Sequence, residues 1–265
     1  MIKYAISNIA WKNEQNDEIY ALMKKYGFTG LEIAPTKIIP EKPYSHVADA
    51  ERFAKDLQQK WGFSIPSMQP IWYGKIEKIF GTAEERKILL NYTKSAVDFA
   101  SAIGCKNLVF GCPKNRNVPD AMEFSICNKI AVEFFKEIGN YAFSKNICVG
   151  MEANPDIYGT NFINTTTQAL ELIKQVHSDG FKLNLDIGTM VQNKESIALL
   201  EGNDSLVNHV HISEPFLKKI EHRQLHNELM DFLCFEKYDG FVSIEMGLQN
   251  KLVDIEEVMK YVKDL

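Results

Sequence analysis

The sequence contains no apolar run near the roughly 18 residues that a membrane-spanning helix requires. Its first residues, MIKYAISNIAWKNEQ, lack the basic start, the long apolar stretch and the cleavage site of a signal peptide. Cysteine is also scarce. The five cysteines form no CxxC pair, and their odd number argues against a disulfide framework. We therefore expect a cytoplasmic protein with reduced thiols that does not associate with a membrane.

An excess of positive charge is missing too. The chain has 30 lysine and arginine residues against 35 aspartate and glutamate residues, a net charge of −5 and a pI of about 5.8. Proteins that bind nucleic acids place clustered basic side chains on phosphates, so this balance gives no reason to expect a nucleic-acid partner. Linkers and low-complexity tracts are absent. With 265 residues, 45% of them hydrophobic, the chain is predicted to form one globular domain over residues 1–265.

The sequence does contain a repeating alternation of helical and extended segments. Thr82 and Glu85 form a Thr-x-x-Glu capping box, and apolar residues then recur at three- and four-residue steps toward Gly104, which suits a helix end. About 20–35 residues separate the predicted strands, enough for a crossover helix and too many for a hairpin turn. Short apolar segments predict eight strands, at residues 4–8, 30–33, 64–69, 107–111, 147–152, 182–186, 207–212 and 241–245. This pattern predicts a single (β/α)8 TIM barrel, with a doubly wound open sheet as the alternative.

The predicted strands have two unlike faces, because residues two apart on a strand share a face. Glu152 and Glu245 each end a strand and share a face with small or polar residues such as Gly150 and Ser243. The opposite faces carry large apolar residues such as Val149, which suit packing beneath helices. Unpaired polar groups are costly to bury. The carboxylates therefore indicate a site at the mouth of the barrel.

Four predicted strands end in residues of metal-binding type. They are Glu152 in CVGMEANP, Asp186 in LNLDIG, His211 in NHVHISE and Glu245 in FVSIEM, separated by 34, 25 and 34 residues. Each separation is about one βα unit, and the C-terminal ends of barrel strands converge on one mouth. Crowded carboxylates raise one another's pKa, a penalty that a bound cation removes. The donor set predicts one divalent metal ion, with Mn²⁺, Mg²⁺ or Co²⁺ favoured and Zn²⁺ as the alternative.

The order Glu-x-Asn, Asp, His-x-x-Glu and Gly-Phe-Val-Ser-Ile-Glu-Met resembles the xylose isomerase-like superfamily of TIM barrels. This superfamily includes sugar and sugar-phosphate isomerases, hexulose 3-epimerases, inosose dehydratases and endonuclease IV. The resemblance covers nearly the whole chain and is most specific in the last four strands. It implies that one divalent metal ion is held by Glu152, Asp186, His211 and Glu245. As in the epimerase branch, the two glutamates would face each other across the substrate.

The chemistry that such a site performs follows from its parts. A metal ion that bridges a sugar carbonyl and the neighbouring hydroxyl stabilises an enediolate. Proton transfer next to that carbonyl needs a base and an acid, and Glu152 and Glu245 are the candidate catalytic residues. We therefore hypothesise an isomerase or epimerase that acts on a small sugar or sugar derivative. Two alternatives remain open, namely a metal-dependent dehydratase of a keto-polyol (inosose or dehydroshikimate type) and a non-catalytic carbohydrate-binding barrel. Homo-oligomer formation also stays open.

The sequence departs from the family pattern at several positions. Many relatives carry a histidine three residues after the strand-six aspartate, where this chain has Thr189. Hexulose 3-epimerases carry an arginine six residues after the strand-seven histidine, where this chain has Leu217. These differences count against a ketose 3-epimerase. Endonuclease IV requires additional histidines, and this chain has Gln69, Gly111 and Thr189 near those places, so the trinuclear zinc site of the nuclease cannot form.

Three residues in the loops after strands three and four are predicted to contact the substrate. Lys114 and Arg116 follow strand four and are expected to hold an anionic group, because arginine binds phosphate or carboxylate by a planar fork and lysine adds a point charge. Trp72 follows strand three and is expected to form a wall of the pocket.

Three further candidates lie at or near strand ends. Asn154 is expected to orient Glu152 or to touch the substrate. Glu32 and Gln69 end strands two and three, and we expect them to hydrogen-bond to the substrate or to the metal ligands. His209 shares a strand face with His211 and is expected to bond to its neighbours inside the barrel.

Overall fold

The computed structural model describes the whole chain, residues 1–265, and consists of strands that alternate with helices. The strands are β1 (Lys3–Ser7), β2 (Gly30–Glu32), β3 (Ser67–Met68), β4 (Asn107–Phe110), β5 (Cys148–Met151), β6 (Phe181–Asp186), β7 (Val207–Ser213) and β8 (Phe241–Glu245). The helices are α1 (Asn16–Lys25), α2 (Pro35–Ile38), α3 (Val47–Trp61), α4 (Ala83–Ala102), α5 (Phe124–Ser144), α6 (Thr166–Val176), α7 (Ile187–Asn193), α8 (Gln224–Phe235) and α9 (Leu252–Asp264).

The eight strands form one parallel sheet that curls into a nearly closed barrel. The order of hydrogen-bonded neighbours is β2-β1-β8-β7-β6-β5-β4-β3. The two end strands meet through isolated bridges, Gly30 with Ser64 and Ile33 with Met68. At this seam the N–H of Ile33 donates to the carbonyl of Ser67 at 3.1 Å. The predicted (β/α)8 TIM barrel is therefore confirmed, and the open doubly wound sheet is excluded.

Strand β3 is shorter than the predicted segment 64–69. Only Ser67 and Met68 pair with β4, opposite Asn107 and Leu108. Pro66 precedes them and has no N–H to donate, although its carbonyl accepts from the N–H of Asn107 at 3.1 Å. Strands β2 and β3 are joined by isolated bridges and not by a continuous ladder.

Helix α4 begins where the capping box predicts. The N–H of Glu85 donates to Thr82 Oγ1 at 3.2 Å, and the N–H of Thr82 donates to Glu85 Oε2 at 2.8 Å. Leu89 and Val97 are completely buried on the apolar stripe of this helix. Gly104 follows with φ of 72°, in the left-handed region that glycine adopts without a steric penalty.

The two faces of the strands separate an apolar layer from a polar interior. Val149, Met151 and Ile244 are completely buried in the hydrophobic core. Inside the barrel, Asn107 Nδ2 donates to Asn184 Oδ1 at 3.3 Å, which pairs two amides that would be costly to bury alone. This layering directs the polar side chains of the strand ends toward the mouth.

No helix of the structure is both long and apolar enough to cross a membrane. All five cysteines have free thiols, as their odd number and spacing suggest.

Candidate metal centre

The four predicted metal ligands lie together at the mouth of the barrel. Glu152 directly follows β5, Asp186 and Glu245 are the last residues of β6 and β8, and His211 lies in β7. Parallel pairing sets Asp186 beside His211 and Ser213 beside Glu245. One potential ligand atom from each of the four residues lies within 4.8 Å of the others. The arrangement is therefore compact enough for one ion to contact all four side chains.

Contacts on both ring nitrogens orient His211. Nδ1 faces the carboxylates, 3.1 Å from Glu245 Oε2 and 3.4 Å from Glu152 Oε2. Nε2 lies 2.9 Å from Glu32 Oε2. A carboxylate that accepts the second N–H of a metal-binding histidine fixes the tautomer and the direction of the ring. His211 is thus arranged to bind a metal through Nδ1 while it donates from Nε2 to Glu32.

Glu32 is completely buried beneath the metal ligands and does not line the mouth. His209 Nε2 lies 3.2 Å from Glu32 Oε2 and 2.9 Å from Ser243 Oγ. Burial opposes ionisation of Glu32, but the charge of His211 and the hydrogen bonds from both histidines hold its pKa well below the usual range. Burial lowers the pKa of His209 despite its bond to Glu32. The structure therefore brings Glu32 to the metal ligands, one of the two contacts expected of it.

The carboxyl groups of Asp186 and Glu245 are difficult to ionise. Burial and the charge of Glu152 raise the pKa of Asp186 to about 6. Burial also raises the pKa of Glu245 to about 7; His211 opposes this shift, while Glu152 and Asp186 add to it. Burial opposes the charging of His211, yet the charges of Glu32 and Glu245 raise its pKa well above the usual value. A divalent cation would relieve the repulsion among the carboxylates, so this donor set fits such an ion.

Each carboxylate oxygen of Glu152 accepts a hydrogen bond from an amide. Asn154 Nδ2 donates to Oε1 at 2.9 Å, and Asn184 Nδ2 donates to Oε2 at 3.1 Å. Asn154 thus contacts Glu152, one of the two roles expected of it. Asn184 was not predicted from the sequence. It lies two residues before Asp186 on the same strand, so the period of two along β6 was the signal that could have identified it.

Asp186 is held by backbone and hydroxyl donors. Its Oδ1 caps α7 by accepting from the N–H of Thr189 at 2.6 Å, and its Oδ2 accepts from Ser213 Oγ. Thr189 Oγ1 donates to the carbonyl of Ala153 at 2.8 Å, and this residue is buried. The side chain of Thr189, at the position where many relatives carry a histidine, therefore points into the protein. Ser213 was not anticipated and had no distinctive sequence signal.

A pocket of about 130 Å³ opens beside these ligands. Its lining comprises Pro113, Glu152, Asn154, Tyr158, Asp186, Ser213, Glu214, Leu217 and Glu245. Glu214 is held by Arg223, whose Nε and Nη2 donate to its two oxygens at 2.6 Å each. Leu217 presents an apolar side chain where hexulose 3-epimerases have an arginine. The lining contains four carboxylates and no lysine or arginine.

Arg116 and Trp72 lie inside the protein and do not line the pocket. Arg116 is completely buried and donates to the carbonyls of Glu152 at 2.9 Å and Ile163 at 3.2 Å. Burial lowers the pKa of Arg116 to about 10, so the group remains cationic at neutral pH. Trp72 is buried, and its Nε1 donates to Thr93 Oγ1 at 2.8 Å. The expectation that Arg116 holds an anion and Trp72 walls the pocket does not match these positions, because loop side chains follow tertiary contacts that the sequence does not encode locally.

The last two candidates have different surroundings. Gln69 is buried, and its Nε2 donates to Ser7 Oγ at 3.3 Å. Lys114 is exposed and follows Pro113, which lines the pocket. Contact of Gln69 or Lys114 with a substrate stays a prediction.

The family model described as "xylose isomerase-like TIM barrel" matches residues 20–265. The chain belongs to this family. A search of curated proteins finds no significant match.

Solved structures of similar fold include several sugar epimerases. The 3-keto-D-glucoside 4-epimerase of E. coli has a TM-score of 0.78 at 18% identity, with 100% of both chains covered. The D-psicose 3-epimerase of Clostridium cellulolyticum, solved with D-tagatose, has a TM-score of 0.81 at 15% identity and covers 99% of this chain and 97% of its own. An AP endonuclease of family 2 from Brucella melitensis has a TM-score of 0.76 at 20% identity, with 98% of both chains covered. At these identities the likeness establishes the shared barrel.

Proposed function

We propose that this protein is a divalent-metal-dependent isomerase or epimerase of a small sugar or sugar derivative. The observation that carries the proposal is the convergence of Glu152, Asp186, His211 and Glu245, whose ligand atoms lie within 4.8 Å of one another at the mouth of the barrel. The similarity in fold to sugar epimerases supports the same class of reaction.

These four residues would hold the metal ion, with Mn²⁺, Mg²⁺ or Co²⁺ favoured by the oxygen-rich donor set and Zn²⁺ as the alternative. When bound, the ion supplies a positive charge that polarises a substrate carbonyl and stabilises the negative charge of an enediolate. Glu32 keeps the ring of His211 in the required orientation.

Glu152 and Glu245 are the proposed base and acid. Both carboxylates line the pocket, so a substrate in the pocket meets them directly. One glutamate removes a proton from the carbon next to the carbonyl, and the other returns a proton to another atom or face. Asn154 and Asn184 hold both oxygens of Glu152, which restricts the direction from which that carboxylate approaches the substrate.

The lining of the pocket favours an uncharged substrate. The lining contains no lysine or arginine that could hold a phosphate group, and Arg223 near the pocket is already paired with Glu214. Arg116 was expected to hold a phosphate or other anionic group, but its guanidinium donates to acceptors within the protein. A sugar or keto-glycoside without phosphate is therefore the proposed substrate class.

The test follows the exchange of carbon-bound hydrogen with solvent. The protein is treated with EDTA, reloaded with Mn²⁺ and incubated in D₂O with ketoses, aldoses, keto-glycosides and sugar phosphates, while NMR records deuterium next to the carbonyl. We expect incorporation with Mn²⁺ and an uncharged sugar, and none after chelation. A product that has lost water would identify the dehydratase alternative. Binding without exchange or metal dependence would identify a carbohydrate-binding barrel.

Variants test the assignment of the two glutamates. Glu152→Gln and Glu245→Gln should each reduce exchange by at least about 10²-fold, because a proton-transferring group is lost, while the fold is retained in thermal unfolding. Glu228→Gln, an exposed change on α8, is the matched control and should exchange at the wild-type rate. Near-wild-type exchange in either of the first two variants would refute the acid–base assignment.

A further inference from the structure

Arg116 is a buried cation without a carboxylate partner. Its side chain is completely buried, and its donors reach the carbonyl of Glu152 at 2.9 Å, Asn154 Oδ1 at 3.0 Å and the carbonyl of Ile163 at 3.2 Å. Its Nε has no hydrogen-bond partner. A buried charge costs free energy unless it is well paired, and arginine is a costly residue to bury for structural hydrogen bonds alone. The position of this guanidinium therefore calls for a functional explanation.

The contacts of Arg116 continue to the metal centre through one amide. Because Asn154 Oδ1 accepts from Arg116, the Nδ2 end of the same amide must point the other way, where it donates to Glu152 Oε1 at 2.9 Å. A reversed amide would place Nδ2 against the guanidinium, a contact between two donors. Arg116, together with the carbonyl of Ala153 that accepts from Asn154 Nδ2 at 3.1 Å, thus fixes which end of Asn154 faces the carboxylate of Glu152.

The same guanidinium also closes the loop that follows β5. It binds the carbonyls of Glu152 and Ile163, and the carbonyl of Ile163 accepts from the N–H of Asn154 at 3.1 Å as well. The planar fork of arginine can reach three acceptors at once, whereas the single ammonium of lysine cannot match that geometry.

We propose that Arg116 is a positioning residue that acts through Asn154 to hold the carboxylate of Glu152 in place for metal binding and proton transfer. The inference rests on the proposed function, because it assigns Glu152 to the metal. It replaces the expected anion-binding role of Arg116 with one inside the protein.

The test measures Mn²⁺ affinity by calorimetry in the full-length protein. Arg116→Met and Asn154→Ala should each weaken binding by about 10–100-fold, the usual effect of removing a group that supports a metal ligand. The Mn²⁺ affinity of the double variant should lie within about twofold of that of the weaker-binding single variant. The reason is that both changes break the same chain of contacts from Arg116 through Asn154 to Glu152. If thermal unfolding shows that Arg116→Met is not folded, Arg116→Lys replaces it, and the same loss of Mn²⁺ affinity is expected.

Asn117→Ala is the matched control. Asn117 joins the same two loops, since its Nδ2 donates to the carbonyl of Gly159 at 2.8 Å and its Oδ1 accepts from the N–H of Asn161 at 3.2 Å, but it does not contact Glu152 or Asn154. Its loss should leave Mn²⁺ affinity within about threefold of wild type. An equal loss of affinity in the control would show that any link between the loops has this effect and would overturn the proposal.

Two other results would also overturn it. One is wild-type affinity in Arg116→Met or Arg116→Lys beside weakened binding in Asn154→Ala. The other is a double variant whose loss equals the product of the single losses. A wild-type protein that binds no Mn²⁺ would instead overturn the proposed function.

Discussion

We expect the carboxyls of Asp186 and Glu245 to reduce the stability of the metal-free protein as the pH rises from about 4.5 to about 7.5. The reason is that Asp186 and Glu245 have raised pKa values in the folded state, about 6 and about 7, because they are buried beside other carboxylates. Between their ordinary values and these raised values, the two carboxyls bind more protons in the folded chain than in the unfolded chain. Their contribution to the free energy of unfolding therefore falls as the pH increases through this window.

The magnitude follows from the shifts. The pKa of Asp186 rises from 3.8 to about 6, and that of Glu245 rises from 4.5 to about 7. At about 1.4 kcal/mol for each pKa unit, each carboxyl accounts for about 3 kcal/mol of lost stability, and about 6 kcal/mol is the upper limit for both. The raised pKa of His211 acts in the same direction above its usual value of 6.5. The lowered pKa of Glu32 acts only below 4.5, where stability falls as the pH falls. Burial also lowers the pKa of His209 and lowers that of His226 to about 4, so below 6.5 these two histidines make stability rise with the pH and oppose the two carboxyls.

Urea unfolding in EDTA, repeated with saturating Mn²⁺, provides the assay. Mn²⁺ should remove most of the pH dependence that Asp186 and Glu245 cause, because the ion favours the ionised carboxylates. Glu245→Gln should make the metal-free protein more stable than wild type at pH 7.5, by up to about 3 kcal/mol, since it removes a charge that the folded state disfavours. Glu228→Gln should leave the free energy of unfolding unchanged. A metal-free Glu245→Gln protein no more stable than wild type at pH 7.5 would refute the reasoning.

Two further predictions concern single side chains. Glu32→Gln should weaken Mn²⁺ binding by about 10–100-fold in calorimetry, because His211 loses the carboxylate that fixes its ring; unchanged affinity would contradict this role. Thr82→Ala should lower the free energy of unfolding by about 1 kcal/mol in urea, through loss of the cap on α4, and leave Mn²⁺ affinity unchanged. A stability equal to that of wild type would show that this cap contributes nothing to the fold.

The barrel and the convergence of its four candidate ligands were predictable because both depend on regular periods. Strand alternation places Glu152 and Glu245 on one face, and separations of about one βα unit bring successive strand ends to one mouth. The seam was less predictable. Pro66 lacks an N–H, so β3 has two residues where six were predicted.

The contacts of the loops could not be predicted in the same way. Arg116 and Trp72 follow strand ends, and from there a side chain can turn toward the mouth or into the protein. Their directions are set by partners distant in sequence, such as Asn154 for Arg116 and Thr93 for Trp72. Pairings between residues so far apart produce no periodic pattern in the local sequence. By contrast, Asn184 lies on a strand and could have been identified from the alternation that identified Asp186.

Glu32 connects the seam between β2 and β3 to the candidate metal site at the mouth of the barrel. It is the last residue of β2, a strand joined to β3 by only two bridges, and its carboxylate reaches across the interior to the histidines of β7. Truncation of Ile33 or Met68 would disturb the contact between β2 and β3. It should therefore shift Glu32 and, through it, the imidazole of His211. A change at either of these apolar positions would thus affect the orientation of His211 as well as the packing of the barrel.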